Sequence, residues 1–198
     1  MFAFVGFVWN TVPTTIASHW GLHGEANGYS SRAFGLLLTP ILSLLLLALI
    51  AGMIRVDPMR ENIEKFGREV GWFFVLMALF FFYLVSLIVA WNQGIIASFT
   101  WYLVPAFVVL YAAIGALIKA SEPNWTIGVR TPWTISNPAV WNETKRVGSM
   151  LFYIAAIATS VASYVNSETM FGVVVSSALV AGLGTFVYSY IAYRRLLA

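Results

Sequence analysis

The sequence predicts an all-α, polytopic integral membrane protein, a helical bundle of about six transmembrane helices of which five are clear and the first is short. Of its 198 residues, 60% are hydrophobic and only 10% are charged, whereas soluble domains carry about 45–50% apolar and about 25% charged residues. The apolar residues are gathered in stretches that approach or exceed the roughly 20 residues a helix needs to cross a bilayer. Lysine and arginine collect in alternate loops between these stretches, as expected for a multi-pass protein.

The first apolar segment, Met1–Val12, is short. As a helix it would rise only about 18 Å, against a hydrocarbon core of about 30 Å, and the proline that follows disfavours helix just before it. A half-span, an interfacial helix and a span whose first turns lie outside this sequence all fit the pattern, and we favour a shortened first span. Residues 12–32 then form a polar loop that contains both histidines, His19 and His23.

Five further stretches are apolar and contain no Asp, Glu, Lys, Arg or His. An ionisable residue at membrane depth is a functional hypothesis by default, so their neutrality weighs against a proton-coupled transporter and against an intramembrane protease. The five predicted spans are Phe34–Ile54, Val70–Trp91, Ile95–Ile118, Ser149–Val165 and Thr169–Tyr193.

The segments between the spans are short or charged. In residues 55–69, Asp57 is placed to cap a helix whose first position is a proline, so a short surface helix is expected there. Asn92 and Asn166 stand at span ends, and we interpret them as ordinary turn residues.

Small side chains recur every four residues in the last span, at Ser177, Ala181 and Thr185. Small residues let helices approach closely in lipid. We therefore expect this face to pack on the alanine-rich span that precedes it.

The positive-inside rule orients the bundle. Residues 55–69 and 119–148 each contain four lysine or arginine residues and the C-terminal segment contains two, whereas residues 12–32 contain one and the turns 92–94 and 166–168 contain none. We therefore expect both termini and the two basic segments in the cytoplasm, and the histidine loop and the two turns outside.

The chain divides into an N-terminal part, residues 1–69, and a four-helix membrane region, residues 70–198, whose distinctive feature is the polar loop Asn124–Gly148. Within that loop Asn137 is followed by a proline and can cap a helix. A turn or two of basic helix is expected over Ala139–Arg146, leading into the next span.

Arg130 is the loop's candidate recognition residue, because its guanidinium could stack on Trp125 or Trp133. The simpler interpretation is an interfacial anchor of tryptophans and basic residues that holds no ligand. Composition alone leaves both interpretations open.

The histidine loop is the second candidate site. His19 and His23 would share a face if the segment were helical, and with Glu25 they could ligate zinc. Gly21 and Gly24 argue against helix. We therefore assign no metal site, keep the two histidines as candidates only, and interpret the segment as a polar extracellular loop.

Two sets of residues resemble the SdpI family. Residues 127–134 and 140–148 resemble its pattern G-[IV]-R-T-P-W-[ST] followed by V-W-x-x-T-x-R-x-G. Residues 13–32 resemble an extracytoplasmic domain of unknown function that precedes this signature in many members, although the second proline of that pattern is Ala17 here and its terminal lysine is Arg32. The candidate residues of the central loop are Trp125, Gly128, Arg130, Thr131, Pro132, Trp133, Trp141, Thr144, Arg146 and Gly148. Those of the histidine loop are Pro13, His19, Trp20, Gly24, Glu25, Gly28 and Tyr29.

The resemblance implies a six-span protein of the bacterial plasma membrane that gives immunity to a secreted, membrane-active peptide toxin. It also implies a receptor that, with toxin bound, sequesters a transcriptional repressor of the ArsR type at the membrane. On this interpretation the protein is not an enzyme, uses no cofactor and does not bind nucleic acid directly, and its partners are the lipid bilayer, the peptide and the repressor. The alternative is a small transporter or permease without ion-coupling residues.

Overall fold

The computed structural model describes residues 1–197, and most of them are helical. The elements in chain order are α1 (Phe2–Val8), a 3₁₀ turn (Trp9–Thr11), β1 (Thr15–Trp20), β2 (Ala26–Ser31), α2 (Arg32–Val56), α3 (Arg60–Glu64), α4 (Gly67–Asn92), α5 (Phe99–Ala120), α6 (Pro132–Ser136), α7 (Pro138–Ala162) and α8 (Ser167–Leu197). The predicted polytopic helical membrane fold is confirmed, with a small strand pair that the sequence did not predict.

Four helices within residues 1–197, namely α2, α4, α5 and α8, are long and apolar enough to cross a membrane. The predicted span at residues 149–165 is the apolar second half of α7, a helix of 25 residues. That apolar part, residues 149–162, rises only about 21 Å. By length and composition alone α7 therefore does not qualify as a span, but it packs against both α5 and α8.

The long helices pack in the order α2, α4, α5, α7 and α8, each against the next. Small residues bring the backbones close on both sides of α7. A Cβ on Gly115 would lie 3.1 Å from the Ser149 carbonyl oxygen, and one on Gly148 would lie 2.8 Å from Cγ2 of Thr185. Ala181 and Thr185 are buried, which confirms that the small-residue face of α8 packs on α7.

Residues 12–32 form a β-hairpin rather than the predicted irregular loop. β1 and β2 pair antiparallel across a turn at residues 21–25, where Gly24 has a φ of +83°, a region that glycine enters without steric penalty. Ile16 and Ala17 are fully buried, because β1 packs against α2 and α4. The sequence alternates only weakly between apolar and polar residues here, so the strands carried no clear local signal.

Asn92 holds the hairpin on α4 and is more than the turn residue that the sequence suggested. Its Oδ1 accepts a hydrogen bond from the N–H of Ala17 at 2.8 Å, and its Nδ2 donates to the carbonyls of Ala17 at 3.1 Å and Ile88 at 2.8 Å. A proline at position 17, as in the resembled pattern, has no N–H to donate. Alanine in place of that proline therefore supplies the N–H that bonds to Asn92 in this chain.

The loops are gathered at two opposite ends of the bundle. At one end, called the outer end below, the hairpin meets the segments before α5 and α8: the N–H of Phe99 donates to the Gly24 carbonyl at 3.4 Å, and His23 Nε2 lies 3.3 Å from a Glu168 carboxylate oxygen. At the inner end, Arg195 Nη2 lies 3.4 Å from Glu143 Oε2 on α7. The structure thus groups the loops that charge predicted to lie together, and the positive-inside rule predicts that the inner end faces the cytoplasm.

α1 lies beside the outer halves of α2 and α4. Val5 and Val8 are buried in one cluster with Leu36, and the Phe4 ring meets the Phe82 ring edge-on with centroids 5.2 Å apart. Its seven residues rise only about 10 Å. The part of this segment that the sequence contains is therefore shorter than a full span, and all three interpretations stay open.

Candidate functional site

Asn124 organises the inner-end loop that joins α5 to α6. Its side chain is fully buried. Its Oδ1 accepts hydrogen bonds from the N–H groups of Thr126 at 2.8 Å and Ile127 at 2.6 Å, and its Nδ2 donates to the carbonyls of Glu122 at 2.7 Å and Ile127 at 2.8 Å. An asparagine amide can accept and donate in this way at once, so one side chain fixes the shape of the loop.

Asp57 and Asn62 connect this loop to the segment between α2 and α4. Asp57 Oδ2 accepts from the Trp125 N–H at 3.0 Å and from the Thr126 hydroxyl at 2.6 Å. Asn62 Nδ2 donates to the Pro123 carbonyl at 2.8 Å. The predicted short surface helix is present as α3, but Asp57 does not occupy its N-cap position. One oxygen of this carboxylate instead joins two loops that are distant in sequence.

Trp141 fills the space beneath the loop. Its ring is almost completely buried, and its Nε1 donates to the Ser121 carbonyl at 3.1 Å, which also accepts from Lys145 Nζ at 2.9 Å. Lys145 pairs with Glu122 at 3.1 Å. Gly128 has a φ of +103°, and a Cβ there would come within 3.1 Å of the Trp141 ring. Both the backbone conformation and the available space therefore require glycine at this position.

The segment that follows is a capped single turn of helix. The Thr131 hydroxyl accepts from the N–H of Thr134 at 3.2 Å while the Thr134 hydroxyl accepts from the N–H of Thr131 at 2.9 Å, a capping box, and Pro132 takes the first helical position. Trp133 packs against aromatic side chains of α8, with its ring centroid 5.1 Å from that of Tyr190. These contacts fix the loop to the last helix.

Arg130 is the exposed cation of this loop. Its Nη1 donates to the Trp125 carbonyl at 3.0 Å, and no carboxylate within residues 1–197 pairs with it. Stacking of Arg130 on Trp125 or Trp133, which the sequence left open, is not seen within residues 1–197, where the cation–π contact joins Arg32 and Trp9.

The remaining signature residues lie on α7 rather than in a loop. The Asn137 side chain caps this helix by accepting from two backbone N–H groups, as predicted, but the helix continues without a break into the apolar part. Thr144 is fully buried and its hydroxyl has no partner among the described residues. Gly148 lies against α8, and Arg146 is exposed and pairs with Glu143 at 3.3 Å.

A cavity of about 600 Å³ lies between the loop and the inner halves of the helices. Residues 126–131 form its polar side, and mostly apolar side chains of α2, α4, α5, α7 and α8 form the rest. Arg130 is the one charged side chain in its wall among the described residues. The volume falls in the range of about 300–1,000 Å³ that is usual for sites of small organic ligands.

The candidate residues of the N-terminal part lie at the outer end. Trp20 stacks on Phe99 with centroids 3.8 Å apart and meets Trp91 edge-on at 5.8 Å, so it anchors the hairpin to the helices. Tyr29 is exposed on β2, where it pairs with Ala17. The Pro13 carbonyl, just before β1, accepts a hydrogen bond from the arginine that begins α2, at 3.1 Å.

The two histidines do not come together as a pair. His19 lies on β1 with its Nδ1 2.5 Å from Asn27 Oδ1, close to the glycine backbone at Gly28, and His23 lies in the turn that the Glu25 carbonyl closes. No group of three or more histidine or acidic side chains within residues 1–197 is placed to hold a metal ion. The shared helical face considered for these histidines does not exist.

Sequence reasoning missed the roles of three residues. Asn92 fixes the hairpin at the outer end, whereas Asn124 fixes the inner-end loop and Asp57 links that loop to the segment after α2. Asn124 carried a local signal, because an asparagine that bonds to backbone N–H groups two and three residues ahead is a common turn. Asp57 and Asn92 carried none, since their partners lie 68 and 75 positions away.

Comparison with known proteins finds matches in two separate parts of the chain. Residues 121–189 match the SdpI/YfhL protein family, and residues 1–44 match a domain of unknown function (DUF1648). The chain is 28% identical over 82 residues to a protein named "Immunity protein SdpI" from Bacillus subtilis (strain 168); this alignment covers 41% of the chain and 40% of that protein. No solved structure matches. The part of the chain from residue 121 to residue 189, which includes the inner-end loop, α7 and most of α8, is therefore similar to the SdpI/YfhL protein family, and the alignment with the Bacillus subtilis protein supports membership of that family.

Proposed function

We propose that this chain is an immunity protein of the bacterial plasma membrane. It protects the cell that makes it by binding a membrane-active peptide toxin non-covalently. The observation that carries the proposal is the similarity to Immunity protein SdpI. The inner-end loop is also held by buried side chains: Asn124 lies within it, and Asp57 and Trp141 bond to its backbone from outside.

The two ends have different roles in this proposal. The outer hairpin and the neighbouring helix ends meet the peptide, and the inner-end loop reports occupancy to a cytoplasmic repressor of the ArsR type. Supporting this division, α2 and α4 each touch the hairpin at one end, while Asp57 directly follows α2 and bonds to the inner-end loop. A displacement of the hairpin can therefore be transmitted along α2 to Asp57 and from there to the inner-end loop.

Protection is tested in the organism that encodes the chain. A deletion strain is exposed to medium conditioned by the undeleted strain, and survival and membrane potential are followed with the gene restored. We expect the wild-type chain to restore survival and Asn92→Ala, which frees the hairpin, to restore less. Asn142→Ala, at an exposed position on α7, is the control and should match wild type at equal membrane abundance.

Equal survival of the deletion strain and the restored strain would contradict the proposal. A transporter would instead move the peptide out of the cell, so the distribution of labelled peptide separates the two functions. Binding leaves peptide with the membranes of the restored strain, whereas export leaves less there than in the deletion strain.

The reporting role is tested by the repressor content of isolated membranes. We expect peptide to raise this content for the wild-type chain and for the control Arg68→Ala, and not for Arg130→Ala. A repressor content that does not depend on the peptide would refute the reporting role while leaving protection in place.

A further inference from the structure

We propose that the inner-end cavity is a binding site for an anionic phospholipid, with an acyl chain between α2 and α8 and the phosphate at Arg130. This inference is independent of toxin immunity. It rests on the shape of the cavity, on its charge and on unpaired backbone donors in its wall.

The cavity is open space between the two ends of a row of helices. The helices pack in the order α2, α4, α5, α7 and α8, and the first and the last both contribute to the cavity wall, through Leu46, Leu49 and Met53 of α2 and through Gly182 and Phe186 of α8. These wall residues are apolar, and the three from α2 are exposed. In a membrane, such a space between lipid-facing helices is filled by hydrocarbon.

The polar side of the cavity is positive. Arg130 has a single bond to a backbone carbonyl and no paired carboxylate within residues 1–197. A guanidinium offers several N–H donors in a planar fork that suits phosphate. The wall contains no acidic side chain among the described residues; the Asp57 carboxylate bonds to Thr126 of that wall but is not part of it.

The loop adds backbone donors beside this guanidinium. The N–H groups of Gly128, Val129 and Arg130 donate to no acceptor within residues 1–197, and all three residues line the cavity. Consecutive free N–H groups in a turn that includes a residue at positive φ form concavities that bind anions, and Gly128 has a φ of +103°. Arginine and loop together therefore present several donors to one anion.

The position in the membrane favours a lipid as the source of that anion. The α2 wall residues lie in the last three turns before that helix ends at Val56, so the cavity reaches from the inner end of the bundle toward the apolar middle. Anionic lipids are enriched in cytoplasmic leaflets, and basic pockets between helices on that side bind their headgroups. A phospholipid satisfies the apolar walls and the positive side at once, whereas free phosphate satisfies only the latter.

Two substitutions test the site from opposite directions. Arg130→Ala removes the charge. Gly182→Leu fills the apolar part, because a Cβ at Gly182 meets no atom within 4 Å and the added side chain can enter the cavity without displacing the fold. The matched controls are Arg68→Ala, an exposed cation at the same end, and Gly172→Leu, another open glycine of α8 outside the cavity wall.

The measurement is native mass spectrometry of the full chain released from nanodiscs of equal parts phosphatidylglycerol and phosphatidylcholine with the same acyl chains. We expect wild type and both controls to retain phosphatidylglycerol preferentially. Loss of the charge-assisted bonds in Arg130→Ala should lower this retention by about tenfold, and Gly182→Leu should lower retention of both lipids.

Three results would overturn the proposal. They are equal retention of the two lipids by wild type, unchanged retention by Gly182→Leu, and equal losses in the controls and the cavity variants. Displacement of the lipid by millimolar inorganic phosphate, or by added toxin peptide, would assign the site to those ligands instead. If Arg130→Ala does not fold, as judged by gel filtration, the comparison of Gly182→Leu with Gly172→Leu still decides the outcome.

Discussion

Replacing Asn124 by alanine should disrupt the inner-end loop and lower the free energy of unfolding by an amount that can be approximated from its hydrogen bonds. The side chain makes four hydrogen bonds of 2.6–2.8 Å in a fully buried position. Each is worth a net 0.5–1.5 kcal/mol, and buried groups left without partners cost more. Some of the freed backbone groups can reach water, so we expect a loss of about 3 kcal/mol.

The assay is thermal unfolding of purified protein in detergent, followed by tryptophan fluorescence and near-UV circular dichroism. For a chain of this size, about 3 kcal/mol corresponds to a fall in Tm of roughly 6–12 °C. Asn142→Ala is the matched control, because Asn142 is exposed and its side chain has no hydrogen bond within residues 1–197. If Asn124→Ala and the control unfold at the same temperature, the loop is not built around this side chain and the reasoning fails.

Three further predictions follow from particular contacts. Asn92→Ala should release the hairpin from α4, which limited proteolysis of intact cells would detect as faster cleavage in the N-terminal part; unchanged cleavage would mean that the aromatic contacts alone hold it. Gly128→Ala should destabilise the protein by about 2 kcal/mol, because position 128 has a positive φ and close neighbours. Gly52→Ala is the control, because position 52 lies in open space on α2. Equal Tm values for the two variants would contradict this prediction. Because the chain has no cysteine, single cysteines introduced as Tyr29→Cys and Trp125→Cys report which side of the membrane each position faces. A membrane-impermeant thiol reagent should label only the Tyr29→Cys variant in intact cells. Labelling of only the Trp125→Cys variant would show that the bundle has the opposite orientation.

The membrane fold could be predicted from the sequence because it depends on local composition. Stretches of uncharged apolar residues give the long helices, and alternating lysine and arginine content groups the loops into two ends. The Asn137 cap is equally local, since an asparagine followed by proline has the preferred chemistry of a helix start. The continuity of α7 was missed because the change from polar to apolar residues at Ser149 resembles a boundary, although nothing there interrupts a helix.

The candidate site could be predicted only in outline. The sequence places Gly128, Arg130 and Trp141 in one segment, but it does not say that the first lies against the third or that Arg130 faces a cavity. Those relations depend on contacts between helices, and strand pairing in the hairpin likewise depends on Asn92, 75 positions from its partner. Such long-range contacts leave no periodic trace in a single sequence.

Photo-crosslinking of the toxin peptide tests the central claim most directly. A photoreactive amino acid replaces Tyr29 at the outer end or Trp125 at the inner end, two exposed aromatic positions, and cells are illuminated in peptide-containing conditioned medium. The account predicts a chain–peptide adduct from position 29 and none from position 125. An adduct from position 125 alone, or none from either position while the cells remain protected, would contradict binding at the outer end.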